Sequence, residues 1–175
     1  MSKASASRKT FDDLFVHELS DIYSAEKQIT RALPKLARAS SDPELAEAFN
    51  SHLEETHGQI QRIDQLVESA GLKLKRMKCV AMEGLIEESK ELLDEIEKGP
   101  ILDAGLIAAC QKVEHYEIAG YGTLVAMARQ LGMEDAASLL EETLQEEKSA
   151  DEKLTRIAEQ SVAQAQQQEG QDDQA

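Results

Sequence analysis

Along most of the chain, apolar residues recur at spacings of three and four, the period of a helix face turned toward a core. The first stripe reads Phe11, Phe15, Leu19, Ile22, Ile29, Leu33 and Leu36. It predicts a helix from about Thr10 to Ala39, with Thr10 as N-cap and Asp13 three residues on. Pro34 falls inside the stripe and predicts either a kink, at a cost of about 3 kcal/mol unless packing offsets it, or a stop near Leu33. Ser40-Ser41-Asp42-Pro43-Glu44 reads as a turn into a second helix: Ser41 or Asp42 can cap, Pro43 suits the first turn, and Ser41 with Glu44 makes a capping box. This helix carries Phe49, Leu53, Thr56, Ile60 and Ile63 to Ala70, and Gly71 is a stop signal.

The segment from Leu72 to Pro100 begins basic (Lys73, Lys75, Arg76, Lys78) and then turns amphipathic from Ala81 to Ile96. A structureless loop of that length is unusual, so it is expected to be a crossover holding a short extra helix. A third long helix is predicted from about Leu102 to Leu131, stopping at Gly132, and a fourth from about Ala136 to Ala163. Residues 164–175 are Gln- and Asp-rich without a stripe and are expected to be a disordered tail, as are residues 1–9 at the other end. Two helical hairpins joined by one long crossover predict a single all-α domain over residues 10–163. The expected architecture is a ferritin-like four-helix bundle.

Carboxylates interrupt three of the four stripes without leaving them. The first helix reads Ile22, Glu26, Ile29; the third reads Cys110, Glu114, Glu117, Tyr121, Leu124; the fourth reads Leu140, Leu144, Glu147, Asp151, Leu154. These acids therefore point where the leucines point. An unpaired buried carboxylate costs several kcal/mol or shifts its pKa to avoid the charge, so acids converging on one core call for positive charge between them. Their depths agree. Measured from Ser41 or Gly132, Glu26, Glu54, Glu55, Glu117 and Glu147 all lie about 20–22 Å from their hairpin end at 1.5 Å per residue. Antiparallel packing brings them to one level.

On the second helix, Glu54 and His57 form Glu-x-x-His, the spacing that di-iron and di-manganese bundles use on two of their helices. Both stand at the edge of the Leu53/Thr56 stripe, so Glu55 or His52 is the alternative inward residue. Three residues after Glu147 stands Ala150 where a second histidine is expected, leaving Asp151 or water to fill that place. A carboxylate-rich set with one histidine suits Fe or Mn better than copper, and it lacks the cysteines of structural zinc. Tyr121 shares the face of Glu114 and Glu117 and is expected to hydrogen-bond a ligand. Cys110 is expected to be a small buried hydrophobe.

Charge and composition narrow the partners. Lys and Arg number 19 against 34 acids, a formal charge of −15, which argues against nucleic acid and anionic membrane surfaces. Hydrophobics at 41% suffice for a core, and no stretch approaches the roughly 18 apolar residues of a membrane span. Cys79 and Cys110 are too few for a disulfide scaffold and no apolar leader follows the basic N-terminus, so the expected location is the cytoplasm.

The runs DIYSAEKQITRALPKLARA, HLEETHGQIQRID, KCVAMEGLIEE, QKVEHYEIAGYGTL and ETLQEEKSADEKL closely resemble the YciE/YciF family of ferritin-like bacterial stress proteins, over about residues 10 to 160. The resemblance implies a bundle related to rubrerythrins, a homodimer, expression under stress and a dinuclear metal site. A rubrerythrin-like pattern places Glu26 on the first helix, Glu54 and His57 on the second, Glu114 and Glu117 on the third and Glu147 on the fourth. The family's second-helix signature, centred on His52 and Glu55-Thr56, keeps Glu55 among the candidates. The expected function is a binder of two Fe or Mn ions that handles peroxide or dioxygen, with a small oxidant as substrate. The alternatives are a structural or interaction protein whose site does not turn over, and a ferroxidase.

Overall fold

The computed structural model describes residues 10–172, with side chains through 167. The expectations of disorder at residues 1–9 and 173–175 lie outside the described residues. Five helices follow one another: α1 (Phe11–Ala39), α2 (Pro43–Ser69), α3 (Val80–Glu95), α4 (Pro100–Gln130) and α5 (Glu134–Asp172). α1 pairs with α2, and α4 with α5. The two hairpins join through α2 against α5 and α1 against α4, while α3, inside the crossover, lies on α4 and α1.

The local signals explain most boundaries. The Thr10 side chain accepts from the Asp13 backbone N–H while the Asp13 carboxylate accepts from that of Thr10, a complete capping box. α1 continues through Pro34 to Ala39, so the alternative stop near Leu33 does not occur. The stripe around the proline is buried at Leu33, Leu36 and Ala37, and that packing offsets the missing backbone bond. Phe11, by contrast, heads the stripe yet is 45% exposed. Asp42 caps α2 by accepting from the Glu44 N–H. Ser41 makes no capping box; its hydroxyl and N–H, with the Asp42 N–H, all donate to Asp103 in the first turn of α4, at 2.5–2.9 Å. A buried carboxylate thereby ties the α1–α2 turn to the other hairpin. Gly71 and Gly132 take φ of 63° and 72°. Each ends its helix with the paired backbone bonds of a Schellman motif: Leu72 N–H to Val67 O with Gly71 N–H to Glu68 O, and Met133 N–H to Ala128 O with Gly132 N–H to Arg129 O.

The main departure is at the C-terminus. α5 runs on to Asp172, past the helix end expected at Ala163. Residues 164–169 are all Ala, Gln and Glu, good helix formers without a proline, so a helix already fixed by packing upstream propagates through them without needing an apolar face.

Candidate metal centre

The α1 stripe is buried at Phe15, Leu19, Ile22, Glu26, Ile29, Leu33 and Leu36, and the acid is as completely buried as its apolar neighbours. α4 buries Cys110, Glu114, Glu117, Tyr121 and Leu124, and α5 buries Leu140, Leu144, Glu147 and Leu154. The inward phase of α2 is Leu45, Phe49, His52, Thr56, Gln59, Ile63 and Leu66, so its contribution to this level is His52 and Gln59. Side-chain ligand atoms of His52, Glu114, Glu117 and Glu147 all lie within 4.8 Å of one another. Glu26 joins them from α1 through Tyr121, whose hydroxyl donates to Glu26 Oε1. One residue before Tyr121, Gly120 faces the tip of Ile22 on α1: a Cβ there would stand 2.9 Å from Ile22 Cδ1.

Four of the seven candidate ligands, Glu26, Glu114, Glu117 and Glu147, are thus fully buried at one level. Glu54 and His57 are exposed and take no part, which corrects the Glu-x-x-His reading. Of the predicted stripe, Phe49, Thr56 and Ile63 are buried, while Leu53 and Ile60 are only half-buried flank residues. The stripe Phe49, His52, Thr56, Gln59, Ile63, at spacings of three and four, carries the signal that identifies His52. Glu55 is 42% exposed at the side chain and acts through the histidine, its Oε2 3.3 Å from His52 Nδ1. Asp151 does not fill the place opposite Ala150: it accepts from Gln111 Nε2 (3.2 Å) and lies 3.1 Å from Nε2 of the exposed His115.

The electrostatics of this layer are those of acids without enough positive charge. Burial, then the charge of Glu147, pushes the Glu26 carboxyl from 4.5 up to about 8. Burial raises Glu114 and Glu117 well above the carboxylate range, helped by their acidic neighbours. His52 is pulled down by burial but ends above 6.5, because the hydrogen bond to Glu55 and the charges of Glu147, Glu55 and Glu26 outweigh that loss. Burial pushes the Cys110 thiol up to about 12, so it stays a thiol, donating to Glu114 Oε1 at 3.3 Å. Gln59 donates to Glu147 and, at 3.1 Å, to Glu146. Arg62, one turn on, holds Glu146 and Glu142 and fixes α2 against α5.

Hydrogen bonds do not exhaust the layer. Glu26 Oε2, Glu114 Oε2, both Glu117 oxygens, Glu147 Oε2 and His52 Nε2 are buried without a hydrogen-bond partner. His52 Nε2 lies 3.3 Å from Glu114 Oε1 without hydrogen-bond geometry, and 3.8 Å from Glu147 Oε2, beyond hydrogen-bond reach. Buried polar atoms are paired in the great majority of cases, and these unpartnered atoms include those of a group, His52, Glu114, Glu117 and Glu147, that could hold a metal ion. The donors, oxygen with one imidazole, fit Fe or Mn.

A family model described as a domain of unknown function, DUF892, matches residues 10–167. The chain belongs to the DUF892 family. Protein YciF of Escherichia coli strain K12 is 66% identical over 151 residues, which is 86% of this chain and 91% of that protein. The crystal structure of the E. coli stress protein YciF matches with a TM-score of 0.86 at 64% identity, covering 89% of this chain and 99% of that one. YcfI from Rhodopseudomonas palustris matches with a TM-score of 0.82 at 46% identity, covering 87% and 98%. The similarity to YciF expected from the five sequence runs is therefore borne out, and this DUF892 member carries the buried His/Glu group on its four long helices. No helix of the described residues is long and apolar enough to cross a membrane.

Proposed function

We propose that this protein is a ferritin-like bundle that binds two divalent Fe or Mn ions between Glu26, His52, Glu114, Glu117 and Glu147, and acts as a homodimeric cytoplasmic stress protein on a small oxidant. The observation that carries the reading is the convergence of orphaned, fully buried carboxylate oxygens with His52 Nε2. Four carboxylates balance the charge of two divalent cations, which is the composition of the carboxylate-bridged centres of such bundles. When bound, iron or manganese supplies the capacity to reduce peroxide or dioxygen with electrons from an external donor.

The chain's own groups prepare the place. The Tyr121 hydroxyl fixes Glu26 Oε1 and leaves Oε2 free. Gln59 orients Glu147, and Cys110 orients Glu114, in each case leaving the second oxygen without a partner. Glu55 holds His52 by Nδ1 and so presents Nε2 to the acids. Ile29, Leu33 and Ile107, all buried in the same core, limit water around the layer. The similarity to a protein named as a stress protein supports the physiological setting.

Elemental analysis of protein purified without added metal tests the reading. About two ions per chain are expected, with loss of metal in Glu26→Ala and Glu117→Ala. An apo protein that takes up neither Fe nor Mn at neutral pH overturns it. Peroxide consumption by the loaded protein then separates an oxidant-handling enzyme from a protein that holds metal without turnover.

A further inference from the structure

A cleft of about 210 Å³ opens between α2, α4 and α5 and reaches His52, Cys110 and Glu114 at its floor. It far exceeds the roughly 10–15 Å³ that one water needs. It falls short of the roughly 300–1,000 Å³ of sites that take drug-sized ligands. Two orphaned buried atoms, His52 Nε2 and Glu114 Oε2, belong to the residues that form the floor, which are 5% and 0% exposed. Ala150 forms part of the wall. It stands three residues after Glu147, where paired Glu-x-x-His bundles place a histidine, and its methyl group leaves open the space an imidazole would fill. Lys153 and Arg156 line the same cleft, and neither has an ion-pair partner among the described residues. The acid beside them, Glu55, is engaged with His52 Nδ1. What distinguishes this mouth from the cleft lined by Arg31 and Lys35 is its floor, where His52 Nε2 and Glu114 Oε2 lack hydrogen-bond partners.

We infer that this cleft admits a small inorganic ligand of the azide or hydroperoxide class to the His52–Glu114 edge of the centre, with Lys153 and Arg156 selecting anions at the mouth. This inference rests on the metal reading above. Cations at the rim of a low-dielectric cleft concentrate small anions there, and the effect weakens as salt screens it. The wall mixes apolar Phe49, Ala150 and Leu154 with Ser51 and Ser149, and it is the small volume that restricts the ligand to a few atoms.

The test uses the full chain loaded with ferric iron and titrated with sodium azide, reading the azide-to-iron charge-transfer absorption, with iron content measured for every variant. Ala150→Phe is expected to slow azide association by about tenfold or more, because the cleft must then open before each entry. The double variant Lys153→Glu/Arg156→Glu is expected to slow it by about tenfold at low salt, with the difference fading toward 1 M salt. Its changes lie at the mouth, so it carries the test if Ala150→Phe fails to fold. Iron-loaded double variant that takes up azide at the wild-type rate at every salt concentration overturns the entry role. Wild-type protein that holds no iron overturns the metal reading, and this inference with it.

Discussion

The middle of the bundle and its apolar ends are built on one spacing rule and yet have opposite energetics. At the ends, Phe15, Leu19, Ile63, Leu66, Leu124 and Leu140 are buried among other hydrocarbons, and each gains free energy by leaving water. In the middle, Glu26, His52, Glu114, Glu117 and Glu147 occupy equivalent inward positions of the same helices, and each ionised acid loses solvation there. The ends hold the fold; the middle is a place where the fold tolerates a cost. The comparison teaches that burial alone does not identify what stabilises this protein, and that the costly layer is the one that could hold a metal ion.

Truncation at an end has the largest expected effect. Leu124→Ala should lower the unfolding free energy by about 2–5 kcal/mol in urea titrations, with metal or without it. An equal loss from Glu117→Gln in metal-free protein would erase the distinction between the two regions. The expected result is instead the reverse. Gln keeps the shape and removes the buried charge, so metal-free Glu117→Gln should be more stable at pH 8 by on the order of 1–3 kcal/mol, while losing metal binding.

The pH dependence sharpens the same contrast. The Glu26 carboxyl titrates near 8 in the fold against 4.5 ordinarily, so between those values the folded chain binds more protons than the unfolded one. Glu114 and Glu117, raised likewise, and His52, raised above 6.5, act in the same sense. Metal-free protein should therefore lose thermal stability steadily from pH 4.5 to 8, and metal-loaded protein should show a flatter profile, because bound cations favour the ionised acids. Melting temperatures across this range, with and without chelator, check it. A metal-free profile that rises with pH would count against buried acids as the source of the cost. The smallest effect belongs outside both regions: Thr10→Ala removes one partner of the α1 capping box and should cost about 1 kcal/mol in the same unfolding titrations.

Much of this was legible in the chain itself. Glu26, Glu114, Glu117 and Glu147 could be placed indoors because they interrupt stripes that are otherwise apolar, and their shared distance from the turns put them at one level. Tyr121 was expected to bond a ligand and donates to Glu26. α2 misled, because its polar inward residues left no clean apolar stripe. The predicted stripe held Phe49, Thr56 and Ile63 but joined them through Leu53 and Ile60 on the flank, and the Glu-x-x-His spacing put Glu54 and His57 ahead of His52, three residues from Phe49. At the C-terminus the expectation of a tail rested on the missing stripe, whereas helix propensity alone carries α5 to Asp172.

By itself the sequence determined which residues become helical, where most helices begin and end, and which faces turn inward, since propensity, caps and period act within a few residues of one another. Tertiary packing decided what those faces meet. The packing of the two hairpins that brings His52 within reach of Glu114, the tie of Asp103 to the α1–α2 turn, and the cleft beside Ala150 all depend on contacts between helices distant in the chain, and no local spacing encodes them.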